Sequence, residues 1–570
     1  MTDEHIGPRE PFSIALHADK YRSKGESFRD AMNRVAAALS DDDAHYHTLR
    51  SILKDMRFLP GGRVQAAMGS SRNVTPYNCY VSGTIEDSFT EGHGSIMDRA
   101  AEAATTMRMG GGIGYDFSTL RPRGATIHKL NSSSSGPVTF MQIFDAVCKC
   151  VASSGHRRGA QMGVMRIDHP DIEEFIHAKR NETELNGFNI SVAVTDEFMV
   201  AVEQDTDFNL RFGGRVYSTI RARNLWETLL RSAWDWAEPG VLFIDTINST
   251  NNLKYCETIT ATNPCGEQPL PPHGSCLLGS FNLVKYLRKS PSDTYTFDFA
   301  RLAADIPPVV RGMDNIIDRA VYPLYEQEKE TKNKRRIGLG VTGLANAIEA
   351  MGHSYGSSAF VSVQDAIFTL LVHESYKASI DLAKEKGSFP FFRIDYVQSE
   401  YVQRALTQEL RTAMVHHGIR NSHLISVAPT GSISLCADNV SSGIEPVFAY
   451  KMNRAYAGDG EVTAHVLEDY GHKYLGVEGK RTQDVSIAEH MAVLTNAAYW
   501  ADSAVSKTLN LDSSCAWEDF QQMFMDAWHN GIKGLTVYNK DGKRAALLTS
   551  ADEEAASCRI DTETGRRDCD

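Results

Sequence analysis

The short run at residues 263–267, Asn-Pro-Cys-Gly-Glu, combines three side chains that can act together on a small substrate. Its thiol is flanked, two residues away on either side, by an amide and a carboxylate. If the segment is extended, side chains at i−2, i and i+2 project from one face. Asn263, Cys265 and Glu267 would then offer one pocket a hydrogen-bonding amide, a sulfur and a general base. We therefore predict a site built on these three residues.

Two further cysteines accompany this run. Cys276 follows Cys265 by eleven residues, whereas Cys79 precedes Cys276 by 197 residues, so only the fold can bring that pair together. Each cysteine taken alone is typical of a small buried apolar residue. Taken with the Asn-x-Cys-x-Glu pattern, however, the three cysteines resemble the active site of ribonucleotide reductase catalytic subunits.

The resemblance implies a role for each of these residues. Cys265 would become a thiyl radical that removes the 3′ hydrogen of the substrate ribose. Glu267 would be the general base on the 3′-hydroxyl, and Asn263 would hydrogen-bond the ribose hydroxyls. Cys79 and Cys276 would supply two electrons as the 2′-hydroxyl leaves as water. They would finish each turnover as a disulfide, which thiol exchange must re-reduce.

Phosphate binding is predicted for residues 428–434, Ala-Pro-Thr-Gly-Ser-Ile-Ser. Small and hydroxyl residues at a strand-to-helix turn can present backbone N–H groups and hydroxyls to an anion. Such runs are also common as simple turns with a helix cap. In the reductase family the matching loop binds the substrate diphosphate or triphosphate. The resemblance thus implies a phosphate site made by Pro429, Thr430, Gly431, Ser432 and Ile433.

Effector binding is implied for two other segments. Residues 155–163, Gly-His-Arg-Arg-Gly-Ala-Gln-Met-Gly, are typical of a mobile cationic loop. The resemblance makes it the loop that relays effector identity, with Arg157, Arg158 and Gln161 as its residues. Asp87 and Ser88 would open an effector-binding helix predicted over residues 87–109. The alternative is an exposed loop and an ordinary helix cap.

The C-terminal sequence indicates how the radical is made. Oxygen-dependent reductases import it from a separate subunit through two adjacent tyrosines, whereas residues 531–542 contain Tyr538 alone. The Lys-Gly-x-Thr-Val-Tyr sequence and the short Cys265–Cys276 spacing resemble the adenosylcobalamin-dependent members, which implies that cofactor. One alternative is the catalytic subunit of a two-subunit reductase with a separate radical-generating protein. Another is an inactive nucleotide-binding regulator.

A competing motif occurs at residues 338–343, which match Gly-x-Gly-x-x-Gly before a helical run. A dinucleotide fingerprint should follow a hydrophobic strand, yet Lys and Arg dominate residues 332–336, and no acidic strand end lies near position 360. We therefore reject a dehydrogenase. The chain also has no Cys-x-x-Cys and no His-Glu-x-x-His, so no metal site is predicted.

Alternating α and β segments must position these residues. The 570 residues are 42% apolar and 23% charged, as in ordinary globular proteins. Helical periodicity predicts a helical N-terminal region over residues 1–60, and strand-like segments such as 162–167 and 189–194 then alternate with helices, which is typical of an α/β protein with a largely parallel sheet.

The resemblance refines this fold. It implies a ten-stranded α/β barrel of two parallel half-barrels, with a central finger loop that carries Cys265. We assign the barrel to residues 61–548 and a flexible C-terminal tail to residues 549–570. The tail cysteines, Cys558 and Cys569, would form a shuttle disulfide or remain two free thiols.

Composition limits the partners. The net charge of −13 without a basic stripe argues against a nucleic-acid partner. No window has 18 consecutive apolar residues, and the polar N-terminus lacks a signal-peptide core, so neither a membrane span nor secretion is predicted. Sparse cysteines favour a reducing compartment, here the cytoplasm.

The resemblance also implies the binding partners. They are a ribonucleotide substrate, deoxynucleotide and ATP effectors, and a reductant of the thioredoxin or glutaredoxin type. The N-terminal region is shorter than the ATP-binding regulatory cone of many relatives, so on/off control by dATP is not expected. The helix after Asp87 would pair two subunits in a homodimer, although its apolar face equally suits a core.

Overall fold

A computed structural model describes residues 6–153, 157–158, 160–180, 184–458, 461–511, 515–539 and 542–543. Its N-terminal region is helical, as the periodicity predicts, with α1 at Pro11–Tyr21, α2 at Phe28–Leu39 and α3 at Asp43–Lys54. The side chains of Ser27 and Asp42 cap α2 and α3 by accepting backbone N–H hydrogen bonds. The apolar faces of the three helices join the main hydrophobic core.

A ten-stranded sheet forms the centre of the molecule. Its strands are β1 (Phe58–Pro60), β2 (Cys79–Val81), β3 (Gly112–Asp116), β4 (Gln161–Arg166), β5 (Phe188–Val194), β6 (Gly240–Phe243), β7 (Ser275–Asn282), β8 (Ile337–Thr342), β9 (Thr508–Leu511) and β10 (Gly534–Asn539). Short antiparallel ribbons lie outside it: Thr126–Ile127 with Ser132–Ser133, Ala152–Ser153 with Arg157–Arg158, Asp207–Phe212 with Arg215–Arg221, Ala261–Thr262 with Pro269–Leu270, Leu287–Lys289 with Tyr295–Phe297, and Lys451–Gly458 with Glu461–Glu468.

The remaining helices alternate with these strands. They are α4 (Gly62–Ala67), α5 (Ile96–Arg108), α6 (Pro137–Cys150), α7 (Ile172–His177), α8 (Asp196–Glu203), α9 (Ala222–Trp236), α10 (Ile244–Ser249), α11 (Phe299–Arg319), α12 (Tyr325–Lys334), α13 (Leu344–Ala350), α14 (Ser358–Lys386), α15 (Glu400–Ala405), α16 (Gln408–His417), α17 (Gly431–Cys436), α18 (Ile487–Trp500) and α19 (Trp517–His529). Among the described helices, even the 29-residue α14 lacks an apolar stretch suited to crossing a bilayer.

The strand pairings form two parallel halves. Strands β2, β3, β4, β5 and β6 are parallel neighbours in that order. In the second half β7 pairs in parallel with β8, and β9 with β10. Residues 424–427 join these two pairs, because Leu339 of β8 bridges Ile425 and Val427 bridges Val505, both in parallel. The halves meet along antiparallel seams, β2 against β7 and β6 against β10. The α/β fold with two parallel halves is confirmed.

The helix predicted over residues 87–109 begins later than expected, at Ile96. Gly92 and Gly94 adopt φ values of 84° and 89°, which a right-handed helix does not accommodate. Ser95 then caps α5 by accepting a hydrogen bond from the backbone N–H of Asp98. Asp87 and Ser88 therefore lie in the preceding loop and do not open the helix.

The first five residues of the Gly-x-Gly-x-x-Gly motif, 338–342, lie in strand β8, which is fully buried, and its last glycine, Gly343, precedes α13. A Cβ on Gly340 would lie 2.5 Å from the carbonyl oxygen of Ser426. The glycine thus allows close packing of residues 424–427 against β8. This role agrees with our rejection of a dinucleotide-binding loop.

Candidate active site

Residues 263–267 form a tight turn at the tip of the ribbon made by Ala261–Thr262 and Pro269–Leu270. The N–H of Gly266 donates to the carbonyl oxygen of Asn263 at 3.1 Å, and Gly266 has φ of 82°. The extended conformation considered for this run is therefore not the one it adopts, since proline and glycine favour a turn. The turn nevertheless brings Asn263 and Glu267 together, with 2.8 Å between Nδ2 and Oε1.

The first half of the sheet holds one side of this finger loop. Asn189 of β5 donates from Nδ2 to the carbonyl oxygen of Pro264 at 2.8 Å. A Cβ on Gly114 of β3 would lie 1.9 Å from the carbonyl oxygen of Thr262, so only glycine allows this approach. The position of the finger loop thus depends on a glycine, Gly114, at this point of β3.

The second half holds the other side. Ser426 Oγ and the backbone N–H of Ala504 each donate to the carbonyl oxygen of Glu267 at 3.0 Å. Both donors belong to the segments that bridge each other between β8 and β9. The finger loop therefore lies between the two halves, as the resemblance implies.

Cys79 and Cys276 lie opposite each other across the seam between β2 and β7. They are register partners in the antiparallel pairing, and both are buried free thiols. Directly opposed residues place their Cβ atoms about 4.5–5.5 Å apart, close to the roughly 3.5–4.5 Å of a disulfide. Their register is therefore compatible with a disulfide between them.

One hydrogen-bonded cluster links the finger loop to this seam. Asn263 Nδ2 donates to Glu267 Oε1 and, at 3.1 Å, to Cys79 Sγ. The Cys79 thiol donates to the same Glu267 oxygen at 3.6 Å. The N–H of Gln268 donates to Asn263 Oδ1 at 2.9 Å and so fixes the direction of the amide. The fold thus joins three of the five residues predicted for catalysis.

Burial sets the protonation of this cluster. It raises the pKa of Glu267 to about 7, against the hydrogen bond donated by Asn263. Glu267 Oε2 is buried and has no hydrogen-bond partner among the described residues. Burial also raises the pKa of the Cys79 and Cys276 thiols well above the usual range, and the charge of Glu267 adds to both effects. The thiols are therefore protonated, and the carboxyl can exchange a proton near neutral pH.

Cys265 is more accessible than the other two active-site cysteines. It lies partly exposed at the tip of the turn, whereas Cys79 and Cys276 are buried. Apart from Gly266 and its two chain neighbours, no described residue has an atom within 4 Å of the position that a Cβ on Gly266 would take. The tip of the loop therefore has an open flank beside the sulfur.

The predicted phosphate loop forms the turn between residues 424–427 and α17. Thr430 adopts a left-handed backbone with φ of 55°. Its Oγ1 accepts the N–H of Gly443 at 2.7 Å and lies 2.9 Å from Thr342 Oγ1 at the end of β8. Ser432 and Ile433 are buried, and Pro429 and Gly431 are partly exposed. The strand-to-helix turn is thus observed where the sequence predicts it.

Lys20 is a residue at this loop that sequence analysis missed. Its Nζ donates to Ser432 Oγ at 2.9 Å, across a separation of 412 residues. A lysine in the last turn of an N-terminal helix gives no sequence signal of such a contact. Only the packing of α1 against α17 reveals it.

Asp87 and Ser88 make local contacts in the loop before α5. Asp87 Oδ2 pairs with Arg121 Nε at 2.8 Å, and its Oδ1 accepts the Arg121 backbone N–H. Ser88 Oγ accepts the N–H of Glu91 at 3.1 Å. The carbonyl oxygen of Ser88 also accepts the N–H of Ile96, the first residue of α5, at 2.9 Å, so this loop packs against the start of the helix without being part of it.

The three residues predicted for the relay loop lie in two different elements. Arg157 and Arg158 pair with Ala152–Ser153 in a short ribbon, and their side chains lie outside the described part of the chain. Gln161 is buried at the start of β4, where its Oε1 accepts from Tyr115 Oη at 2.8 Å and its Nε2 donates to the carbonyl oxygen of Phe144 at 3.2 Å. The prediction that Gln161 lies in a mobile loop is wrong, because this residue begins the buried strand β4.

Residues at the C-terminal end are described only in part. Tyr538 is buried on β10. The tail thiols Cys558 and Cys569 lie outside the described residues, as does the whole tail predicted at 549–570.

Comparison with known proteins adds independent evidence. The family model described as "Ribonucleotide reductase, barrel domain" matches residues 78–481 and 479–538. A vitamin B12-dependent ribonucleoside-diphosphate reductase of Thermoplasma acidophilum is 32% identical, over 93% of this chain and 69% of the relative. A protein of the same description from Mycobacterium tuberculosis (strain CDC 1551) is 32% identical over 96% and 81%. A vitamin B12-dependent ribonucleotide reductase of Streptomyces avermitilis is 26% identical over 95% and 64%.

Proposed function

Because this chain belongs to the ribonucleotide reductase family, we propose that it reduces ribonucleotides to 2′-deoxyribonucleotides with adenosylcobalamin as its cofactor. The observation that carries the proposal is the cluster in which Asn263 bonds both Glu267 and Cys79, directly opposite Cys276. The relatives described as vitamin B12-dependent support the cofactor.

The surroundings of Cys265 fit such a cofactor. The sulfur is partly exposed, and the flank beside Gly266 is open among the described residues. Pro264, Cys265 and Gly266 would therefore line one side of its site. When bound, adenosylcobalamin supplies an organic radical by homolysis of its cobalt–carbon bond.

Hydrogen and proton transfer fall to the finger loop. A thiyl radical on Cys265 takes the 3′ hydrogen atom of the ribose. Glu267 accepts the proton of the 3′-hydroxyl through Oε2, the oxygen without a described partner. A pKa of about 7 suits a group that takes and returns this proton near neutral pH. Asn263 holds the other carboxylate oxygen in place.

Electron transfer falls to the seam. Two S–H bonds, on Cys79 and Cys276, break and one S–S bond forms, while the 2′-hydroxyl leaves as water. One ribonucleotide and two thiols thus give one deoxyribonucleotide, one water and one disulfide. An external thiol of the thioredoxin or glutaredoxin type then reduces the disulfide by exchange. Cys558 and Cys569 of the tail would pass those electrons on if they form a shuttle.

Regulation belongs to the same proposal. We assign deoxynucleotide and ATP effectors to the loop with Asp87 and Ser88 and to the ribbon with Arg157 and Arg158. Gln161 would act from the buried start of β4, as the fixed end of that ribbon. Helix α5 follows the first loop and exposes Met97, which supports a homodimer contact on this face.

The decisive experiment is an anaerobic assay in dim light with a ribonucleoside diphosphate or triphosphate, dithiothreitol and adenosylcobalamin. We expect deoxyribonucleotide only when the cofactor is present, and none with Cys265→Ala. Cys256→Ala removes another partly buried cysteine and serves as the matched control. Product that instead requires a metal-loaded partner subunit would move the chain to the two-subunit class. No product under either condition would favour an inactive regulator.

A further inference from the structure

The predicted phosphate loop carries no charge of its own. Residues 428–434 consist only of Ala, Pro, Thr, Gly, Ser and Ile. Hydroxyls and backbone N–H groups orient a phosphate, but they do not neutralise it. A nucleoside polyphosphate bears several negative charges, and the chain already has a net charge of −13. A cation from elsewhere in the fold would therefore strengthen phosphate binding at this loop.

Lys20 of α1 brings a cation to the loop. Its Nζ lies 2.9 Å from Ser432 Oγ, and Ser432 itself is fully buried. The ammonium of Lys20 is partly exposed, so an incoming anion can reach it. Lysine binds phosphate as a point charge, which suits a site whose hydroxyls already supply direction.

The position of Lys20 is fixed by anchors at the other end of α1. Ser13 Oγ donates to the carbonyl oxygen of Leu435 at 2.6 Å. The backbone N–H groups of Arg9 and Glu10 donate to Asp438 Oδ1 at 2.7 and 3.0 Å. These contacts meet the C-terminal end of α17, whereas Lys20 meets its beginning. Helix α1 thus runs antiparallel along α17.

A second cation lies two residues further on. Arg22 Nε donates to His17 Nδ1 at 3.0 Å, and His17 Nε2 lies 2.9 Å from Gln65 Oε1. Burial lowers the pKa of His17 to about 3, so the imidazole is neutral. It therefore positions the guanidinium without cancelling its charge. Arg22 also interacts electrostatically with Cys436, the last residue of α17.

The loop also stores backbone strain of the kind found at functional sites. Thr430 is not glycine, yet it has φ of 55° and only 3% of its surface exposed. The N–H of Gly443 donates to its Oγ1, which also shares a hydrogen bond with Thr342 Oγ1, and these contacts hold the conformation.

We infer that α1 is part of the substrate phosphate site and that Lys20 is its neutralising residue, for a ribonucleoside polyphosphate ligand. This inference rests on the proposed function. It extends the site beyond the matched reductase barrel, because the match to that family begins at residue 78. The N-terminal helical region then contributes directly to substrate binding.

Steady-state kinetics test the role of Lys20. Lys20→Gln should raise KM for the nucleotide about 10- to 100-fold, as expected for a lost hydrogen bond to a charged group, with kcat changed less than about threefold. Lys20→Arg keeps the charge and should recover most of the affinity. Lys24→Gln is the matched control, since Lys24 is an exposed lysine of the same segment and should leave KM unchanged.

Direct binding separates this inference from the proposed function. Calorimetry with inorganic pyrophosphate, without cofactor, should show about a tenfold or greater loss of affinity in Lys20→Gln. Equal binding by wild type and variant, or no binding by wild type, would overturn the inference and leave the reductase activity standing. If pyrophosphate affinity depends on Lys20 but the chain reduces no nucleotide, the inference about the phosphate site stands and the proposed function is contradicted.

A double-mutant cycle tests whether Lys20 and Ser432 act on the same ligand. If Lys20 and Ser432 act on the same phosphate, the losses caused by Lys20→Gln and Ser432→Ala should not add. Circular dichroism and Tm establish that each variant is folded. Fully additive losses among folded variants would contradict a shared ligand.

Discussion

Glu267 illustrates at the scale of one residue how the interior alters a common side chain. Asn263 donates to one carboxylate oxygen, and the other has no hydrogen-bond partner among the described residues. Burial removes hydration from the charged form, which raises the pKa to about 7. The carboxyl is then close to half-ionised at neutral pH, the condition in which a proton acceptor also returns its proton readily.

The pH dependence of turnover should report this group. We expect kcat to fall below about pH 7, because protonated Glu267 cannot accept the substrate proton. Glu267→Gln should lower kcat by about 10²- to 10⁴-fold and remove the acidic limb, measured as initial rates across the pH range. Glu349 has a pKa also raised to about 7 but lies outside the cluster, so Glu349→Gln should keep the limb. An unchanged limb in Glu267→Gln would contradict the assignment.

The free energy of unfolding should also depend on pH through Glu267, and the raised pKa fixes the direction of that dependence. The folded state raises the pKa of Glu267 from 4.5 to about 7, so it favours the protonated form. That contribution is fully present below pH 4.5 and is lost as pH rises through 7, a change of about 3 kcal/mol. Glu267→Gln should therefore show a smaller fall in Tm between pH 5 and pH 8 than wild type. Equal decreases in Tm for wild type and Glu267→Gln, measured by thermal melts at pH 5 and pH 8, would contradict this prediction.

At the scale of elements, the finger loop depends on the strands around it. Its turn arises locally, from Pro264 and Gly266, but its placement comes from both halves of the sheet. Asn189 holds one side, and Ser426 and Ala504 hold the other. A loop clamped in this way keeps its functional groups within fractions of an ångström, which radical transfer requires.

Gly114 is the critical point of this arrangement. Gly114→Ala places a Cβ 1.9 Å from the carbonyl oxygen of Thr262, so the loop must shift. We expect a loss of about 1–3 kcal/mol in stability and a fall of about 100-fold in kcat. Gly312→Ala on α11 is the matched control, because its Cβ would meet only the flexible Leu49 and Leu39 side chains. Thermal melts and rate assays on both variants test this prediction. Full activity in Gly114→Ala would show that the finger loop does not depend on this close contact.

At the scale of the whole molecule, the antiparallel seam is what brings together Cys79 and Cys276, the proposed redox pair. Strands β2 and β7 come from distant parts of the chain, and their pairing sets Cys79 opposite Cys276. The two parallel halves thus meet where the proposed chemistry needs two thiols. The same closure encloses the finger loop and raises the pKa of its carboxyl.

A single-turnover experiment tests this pairing. The prereduced chain without external reductant should form one deoxyribonucleotide per chain and one disulfide, Cys79–Cys276, identified by mass spectrometry of alkylated peptides. Two products per chain would mean that the tail thiols also deliver electrons. Cys276→Ser should give no product, whereas Cys148→Ser, a buried cysteine of α6, should behave as wild type. A disulfide that excludes Cys79 would contradict the seam assignment.

Some features of the chain are local enough to follow from sequence. Helix α2 ends where its apolar periodicity ends, and the turn before α17 lies where small and hydroxyl residues cluster. The amide, thiol and carboxylate of residues 263–267 are contiguous, so their chemical capacity is visible without a structure. The start of α5 was predicted wrongly, because the conformations of Gly92 and Gly94 outweighed helical periodicity, and residues 263–267 form a turn where an extended segment had been considered.

The amino-acid sequence alone determined which reactive groups exist and which short segments present them, because those depend on neighbours within a few residues. Tertiary structure alone decided that Cys79 meets Cys276 and that Lys20 reaches Ser432 across 412 residues. It also decided that Glu267 is buried enough to raise its pKa to about 7. Strand pairing and desolvation arise only when distant segments pack, and no local pattern encodes them.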